Sequence, residues 1–167
     1  SGKTQVYMNL IDQVVEDGRQ VIVLVPEISL TPQMMNLFRL RYGSRVAVLH
    51  SALAIGERLD EWKRVRRGDA RIVVGTRSAV FAPCENLGLV ILDEEQEHTY
   101  KSESSPRYHA RDVAKYRCAQ NGALLLLASA TPSVESYHAA VSGRYTLHTL
   151  SSRYGAASLP EVEVVEM

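Results

Sequence analysis

The sequence predicts an α/β domain built on a mainly parallel sheet with helices on both faces. Three observations predict it. Short β-branched or leucine-rich runs alternate with segments of helical spacing, the pattern of strand–helix–strand units. One run, Leu89-Val90-Ile91-Leu92, is apolar throughout and ends in Asp93-Glu94-Glu95, as a buried strand delivering carboxylates to the carboxyl edge of a sheet would. The chain opens with Ser1-Gly2-Lys3-Thr4, the second half of a phosphate-binding loop of the form G-x-x-x-x-G-K-[ST].

The elements follow in order. Val6, Leu10, Val14 and Val15 recur at near-helical spacing over residues 4–17, and Gly18 fits a helix stop. Gln20 to Val25 is a β-branched run closed by Pro26. Thr31-Pro32 fits an N-cap followed by the first helical position, so a helix is expected from there to Gly43. Val46 to Leu49 reads as a short strand. Glu57 to Arg67 reads as a charged helix with Leu59, Trp62 and Val65 on one side, Trp62 being the expected core anchor. Strands follow at Ile72 to Val74 and Leu89 to Leu92, a helix at Tyr108 to Ala119, a strand at Ala123 to Ala128 and a helix at Val134 to Val141. Late strands are expected at Tyr145 to Leu150 and Val162 to Val165, and a mobile loop at Ser102 to Pro106. There is no internal repeat.

Composition narrows the function classes. A chain of 167 residues is long enough for one domain with a real core. Its 19 basic and 19 acidic residues cancel, which argues against a stand-alone DNA-binding module but not against a lobe that shares a groove with other domains. Cys84 and Cys118 are too few and too far apart for a zinc site or a disulfide framework, and fit reduced thiols of a cytoplasmic protein. No apolar run approaches the roughly 20 residues that cross a bilayer, so no membrane association is expected. Because the chain begins inside the phosphate loop, a fragment is expected that lacks the first loop glycine and the strand before it. Such a fragment would turn over little ATP alone.

The motifs carry a consistent chemistry. Ser1, Gly2, Lys3 and Thr4 are the expected nucleotide-binding residues: Lys3 reaches the β- and γ-phosphates of ATP, and Thr4 offers its hydroxyl to Mg²⁺. Asp93 is the second expected Mg²⁺ residue, acting through water, and Glu94 the base that orients and deprotonates the attacking water. Ser129-Ala130-Thr131 follows a buried run, where small hydroxyl side chains can bond Glu94 or Glu95 and report the nucleotide state. Gly75-Thr76-Arg77-Ser78 ends another strand, so Thr76 and Arg77 are candidate contacts to DNA phosphates. Tyr100, Arg107, Tyr108 and Arg111 interleave aromatics with cations, which suits stacking on single-stranded bases with phosphate pairing. Taken in order, the motifs predict the first motor lobe of an ATP-driven nucleic-acid translocase.

The longer blocks Leu24-Val25-Pro26-Glu27-Ile28-Ser29-Leu30-Thr31-Pro32-Gln33, Gly75-Thr76-Arg77-Ser78-Ala79-Val80-Phe81-Ala82-Pro83, Arg107-Tyr108-His109-Ala110-Arg111-Asp112 and Ser129-Ala130-Thr131-Pro132-Ser133 resemble the primosomal protein N′ (PriA) family of bacterial superfamily 2 helicases. The resemblance runs through Leu159-Pro160-Glu161-Val162. It implies a RecA-like P-loop NTPase lobe spanning residues 1–167, and 3′-to-5′ unwinding of forked and single-stranded DNA at abandoned replication forks in the bacterial cytoplasm. It implies partners: a second helicase lobe with its arginine finger and DNA-binding domains in the same protein, single-stranded-DNA-binding protein, and primosomal proteins. The family's zinc-binding segment has no counterpart in these residues. The family's Asp-Glu-Glu-His becomes Asp93-Glu94-Glu95-Gln96 here, with His98 two residues on; Gln96 keeps hydrogen-bonding capacity for a coupling contact to Ser129, Ala130 and Thr131 but cannot become cationic. Another superfamily 2 translocase of branch migration or repair coupling, and a non-catalytic ATP-binding module, remain alternatives at this point.

Overall fold

A computed structural model describes residues 2–151; Ser1 and the strand expected at Val162 to Val165 lie outside the described residues. In chain order the main elements are α1 (Gly2–Glu16), β1 (Gln20–Leu24), α2 (Pro32–Tyr42), β2 (Val46–Leu49), α3 (Ile55–Arg67), β3 (Ile72–Gly75), β4 (Leu87–Asp93), β5 (Lys101–Ser102), β6 (Tyr108–His109), α4 (Ala110–Asn121), β7 (Leu124–Ala128) and α5 (Val134–Val141). Five strands form one parallel sheet in the order β2-β3-β1-β4-β7. β5 and β6 form a small antiparallel hairpin.

The continuous apolar runs are explained by cover on both faces. Val21, Val23, Val48, Val74, Leu89 and Ile91 point to one face, beneath Tyr7, Met8 and Ile11 of α1 and Phe38 and Tyr42 of α2. Ile22, Leu24, Leu49, Val73, Val90 and Leu92 point to the other, beneath Val65 of α3 and Ala110, Ala114 and Cys118 of α4. The chain leaves β1 through α2 on one face and leaves β4 through α4 on the other. These neighbouring strands therefore open a crevice at their carboxyl ends, the usual ligand position in such sheets. β7 closes one edge and is only partly covered, with Leu124 53% exposed.

Several expectations hold to the residue. Thr31 caps α2 by accepting the Met34 N–H, Pro32 is its first residue, and α5 spans Val134–Val141. Others are corrected. Trp62 is 37% exposed and Leu59 50%: α3 buries only Val65 fully, because this charged helix touches the sheet along a single narrow stripe. Tyr145 to Leu150 forms no strand. The amides of Arg144 and Tyr145 donate back to the Ala139 carbonyl, closing α5 instead of starting a ladder. Ser102 to Pro106 is the tip of the β5–β6 hairpin, pairing Lys101 with His109 and Ser102 with Tyr108. That pairing delays α4 to Ala110, where His109 caps it by accepting the Arg111 N–H on Nδ1. Burial, then the Arg111 charge, lowers the His109 pKa, consistent with an accepting nitrogen. No helix among the described residues is long and apolar enough to cross a membrane.

Candidate active site

Gly2, Lys3 and Thr4 form the first turn of α1, where the positive end of the helix dipole favours an anion. β4 lies beneath that turn and ends in Asp93. The Lys3 ammonium sits 2.6 Å from Glu94 Oε1 and 3.5 Å from Asp93 Oδ1. Burial alone would lower the Lys3 pKa, but the bond to Glu94 and the Asp93 charge outweigh it and the net shift is upward. The same bond, joined by one from Gln96, lowers the pKa of Glu94, so this carboxylate is ionised at neutral pH. Glu94 has φ 47°, in the left-handed region. The chain turns there out of the strand, which frees Glu94 from the strict alternation that β4 imposes on Asp93.

One residue of this cluster, Tyr7, escaped the sequence reading, and Glu95, expected as a possible partner of Ser129–Thr131, bonds Ser133 and Ser136 instead. Tyr7, one turn beyond Thr4 on α1, donates its hydroxyl to Asp93 Oδ1 at 2.6 Å. Its spacing from Thr4 put it on the same helix face, which was the available signal. Glu95 is 3% exposed and faces away from Lys3. It accepts the Ser133 N–H at 2.6 Å and the hydroxyls of Ser133 and Ser136 at 3.1 and 2.9 Å, and lies 3.7 Å from Arg111 Nη1. Glu95 thus holds the start of α5 and the start of α4 to the turn that carries Glu94.

The expected contact between this turn and the Ser129–Thr131 segment is present. Gln96 donates Nε2 to Glu94 Oε2 at 3.0 Å and accepts the Ser129 hydroxyl on Oε1 at 2.6 Å. Ser129 Oγ in turn accepts the Thr131 N–H at 2.8 Å, while Ala130 is exposed on the same turn with no polar side chain to contribute. A continuous hydrogen-bonded path therefore runs from Lys3 through Glu94, Gln96 and Ser129 to Thr131.

The residues expected to touch DNA divide sharply. Tyr100 is 1% exposed, and its hydroxyl donates toward the carbonyls of Leu24, at 3.1 Å, and Asp93, at 2.5 Å. With no open ring face it cannot stack on a base here; it ties the ends of β1 and β4 together. Thr76 is 6% exposed, drawn inward because Gly75 lies against the Leu49 carbonyl, where a Cβ would come within 2.2 Å; its hydroxyl is not presented to a phosphate. Arg77 spends Nη1 on the carbonyls of Thr99 and Lys101, bracing the turn after Glu94, and stacks over Tyr108 at 5.9 Å. Tyr108 packs edge-on to Phe81, with ring centroids 4.9 Å apart. Arg107 is exposed at the hairpin, and Arg111 is largely covered beside Glu95.

Over its whole length the chain is similar to the replication restart protein PriA of Bacillus subtilis (strain 168), at 52% identity, and to that of Treponema pallidum (strain Nichols), at 47%. It spans only 21% and 25% of the lengths of those proteins. Among solved structures it is similar to RecG bound to a three-way DNA junction, with a TM-score of 0.60 and 27% identity over 86% of this chain and 18% of that one. The C-terminal part of the Fun30 ATPase domain shares the fold alone, with a TM-score of 0.51 at 15% identity over 83% of this chain and 44% of that one. A profile of DEAD/DEAH box helicases matches residues 1–140, the stretch that carries the whole of the Lys3–Asp93–Glu94 cluster and its path to Thr131, and the chain therefore belongs to the DEAD/DEAH box helicase family.

Proposed function

We propose that residues 1–167 form the nucleotide-binding first motor lobe of a 3′-to-5′ DNA helicase that acts at stalled forks in replication restart and primosome assembly. The observation that carries it is the meeting of Lys3 with Asp93 and Glu94 at the amino end of α1, a phosphate-side cation and two carboxylates at one sheet edge. The identities of 52% and 47% to replication restart proteins favour this reading over an enzyme of the RecG kind, to which the chain is 27% identical.

The cluster fits ATP and Mg²⁺. Asp93 and Glu94 supply hard carboxylate oxygens beside Lys3, which lies where phosphate charge would sit, and Thr4, on the same first turn of α1, would supply a hydroxyl oxygen to Mg²⁺. When bound, Mg²⁺ neutralises phosphate charge and orients the terminal phosphate. Lys3 holds the phosphates by charge. The incoming phosphate competes with Glu94 for the Lys3 ammonium, and a freed Glu94 Oε1 can accept a proton from the attacking water. Gln96 keeps the other carboxylate oxygen in place and carries the change to Ser129 and Thr131. Arg107 remains an exposed candidate for DNA phosphate contact. The family resemblance supports the rest of the reading: a second lobe and DNA-binding domains in the same polypeptide, forked and single-stranded DNA as substrate, single-stranded-DNA-binding protein and primosomal proteins as partners, and the bacterial cytoplasm as the compartment.

The test is made in the full-length protein with two variants. Lys3→Ala should lose nucleotide affinity, whereas Glu94→Gln should retain affinity and lose turnover, because Lys3 pairs with ground-state phosphate and Glu94 acts on the water. Equal loss of affinity in both variants contradicts the assignment.

A further inference from the structure

We propose that the cleft between α4 and α5 binds the phosphodiester backbone of single-stranded DNA through Lys115 and Arg144, with Arg111 linking that contact to the turn bearing Glu94. This rests on the motor-lobe reading above and adds a DNA site to it. The cleft has a volume of about 420 Å³, and Arg111, Lys115, His138, Arg144 and Tyr145 line it with Glu135 as the carboxylate among its lining residues. Its lining comes from the first turns of α4 and α5, Arg111 and Lys115 on one and Val134, Glu135 and Ser136 on the other, with Arg144 and Tyr145 beyond α5.

What marks it as an anion site is how poorly its cations are matched. The Lys115 ammonium rests over the Tyr145 ring at 5.2 Å. Arg144 Nη2 leans on His138 Nδ1 at 3.2 Å, an uncharged acceptor when that nitrogen carries no proton, and its Nε donates to the Ser142 hydroxyl at a long 3.4 Å, so neither of these partners is a carboxylate that neutralises it. Arg111 is the most constrained. Its side chain is 16% exposed, its Nε is buried with no hydrogen-bond partner, and its carboxylate contacts are long, 3.7 Å to Glu95 and 3.9 Å to Asp112. A covered guanidinium short of acceptors is costly, and a phosphate oxygen would relieve it. Three cations parked on a ring, an imidazole and distant carboxylates form a ready set for a diester.

The cleft also has a route to the nucleotide. Glu95 Oε2 is shared by the Ser136 hydroxyl, the Ser133 hydroxyl and Arg111. A phosphate that draws Arg111 outward lengthens an already loose pair and changes the hold of Glu95 on α5. Glu94 is the adjacent residue, so the disturbance enters the Lys3–Glu94–Gln96 path directly.

The experiment uses the full-length protein and a fluorescein-labelled oligothymidylate, with binding read by anisotropy across a salt series. Lys115 and Arg144 are both exposed, so their substitution does not open the core. The double variant Lys115→Ala/Arg144→Ala should bind several-fold more weakly. Its slope of log affinity against log salt should fall by roughly 0.7 for each phosphate that is no longer neutralised. Lys115→Arg, which keeps the charge, should retain the wild-type slope. Wild-type affinity and slope in the double variant overturn the proposal, and so does weaker binding at an unchanged slope, which marks a structural effect. Absence of oligothymidylate binding by the wild-type protein would instead overturn the motor-lobe reading on which the proposal stands.

Discussion

Replacing Tyr7 by phenylalanine removes one oxygen from a buried contact and leaves the volume almost unchanged. Tyr7 is 5% exposed, packed among Met8, Ile11, Val23 and Ile91, and a phenyl ring fits the same space. Burial first, then the bond to Asp93, raises the pKa of the phenol, so the hydroxyl is a donor throughout the working pH range. It fixes Asp93 Oδ1 at 2.6 Å. A hydrogen bond to a charged group contributes about 1.5–3 kcal/mol, but Lys3 at 3.5 Å and solvent access to Asp93 compensate part of this. We therefore expect a net loss of about 1–2 kcal/mol. Because outer partners of metal-bound carboxylates typically change metal affinity by about 10–100-fold, the larger effect should be on Mg²⁺. The assay titrates Mg²⁺ against the full-length Tyr7→Phe protein at fixed fluorescent nucleotide, with melting measured in parallel. The Mg²⁺ midpoint should rise about tenfold or more, with full nucleotide binding recovered at high Mg²⁺. A wild-type Mg²⁺ midpoint combined with a lower Tm would show that Tyr7 only packs, and would refute the reasoning.

Tyr100→Ala should cost about 3–5 kcal/mol by cavity formation, lowering Tm and DNA-independent hydrolysis together; reduced DNA affinity at unchanged Tm would contradict the buried role of this ring. Arg107→Ala, at an exposed hairpin position, should leave Tm unchanged and lower the stimulation of hydrolysis by single-stranded DNA, measured as the ratio of rates with and without it. For pH, Glu94 has a lowered pKa, so its pairing with Lys3 contributes above the ordinary carboxylate pKa of about 4.3 and fades as pH falls through the lowered value. The Tm difference between wild type and Lys3→Met should shrink across that acid range, from a partly exposed pair worth no more than about 1 kcal/mol.

The sheet was legible because burial on both faces leaves no alternative to runs such as Leu89 to Leu92, and because Thr31-Pro32 states its own helix start. The meeting of Lys3 with Asp93 and Glu94 was legible because each partner lies in a local motif, although Lys3 and Glu94 are 91 residues apart. The burial of Tyr100 and Thr76 and the engagement of Arg77, all expected at a DNA surface, were not. Tyr100, Thr76 and Arg77 are polar or aromatic residues beside strand ends, and such residues read alike whether they face solvent or fold back. What decides is a contact far away in sequence: Tyr100 reaches the Leu24 carbonyl 76 residues earlier, and Arg77 reaches Thr99 and Lys101. Trp62 misled for a related reason, since helical spacing names a face but not how much of that face the sheet covers.

Three consecutive carboxylates take up different sets of partners, and one backbone angle makes this possible. Had β4 continued, Asp93 and Glu95 would share a face and Glu94 would oppose them both. The positive φ of Glu94 ends the strand there, at a cost on the order of 1–3 kcal/mol. Both oxygens of the Glu94 side chain are then bonded, to Lys3 and to Gln96, which offsets that cost and holds the turn. Asp93 faces α1 through Tyr7 and Lys3, and Glu95 faces α4 and α5 through Arg111, Ser133 and Ser136. Under the proposed function an incoming phosphate would compete with Glu94 for Lys3, making Lys3 the member of this set whose partner changes. Gln96 would then still fix one oxygen of Glu94, so the carboxylate would keep its orientation while the other oxygen opened toward water. Because Gln96 also holds Ser129, and Glu95 beside it holds α5, the same reading predicts that the state of Lys3 is felt at the Ser129–Thr131 turn.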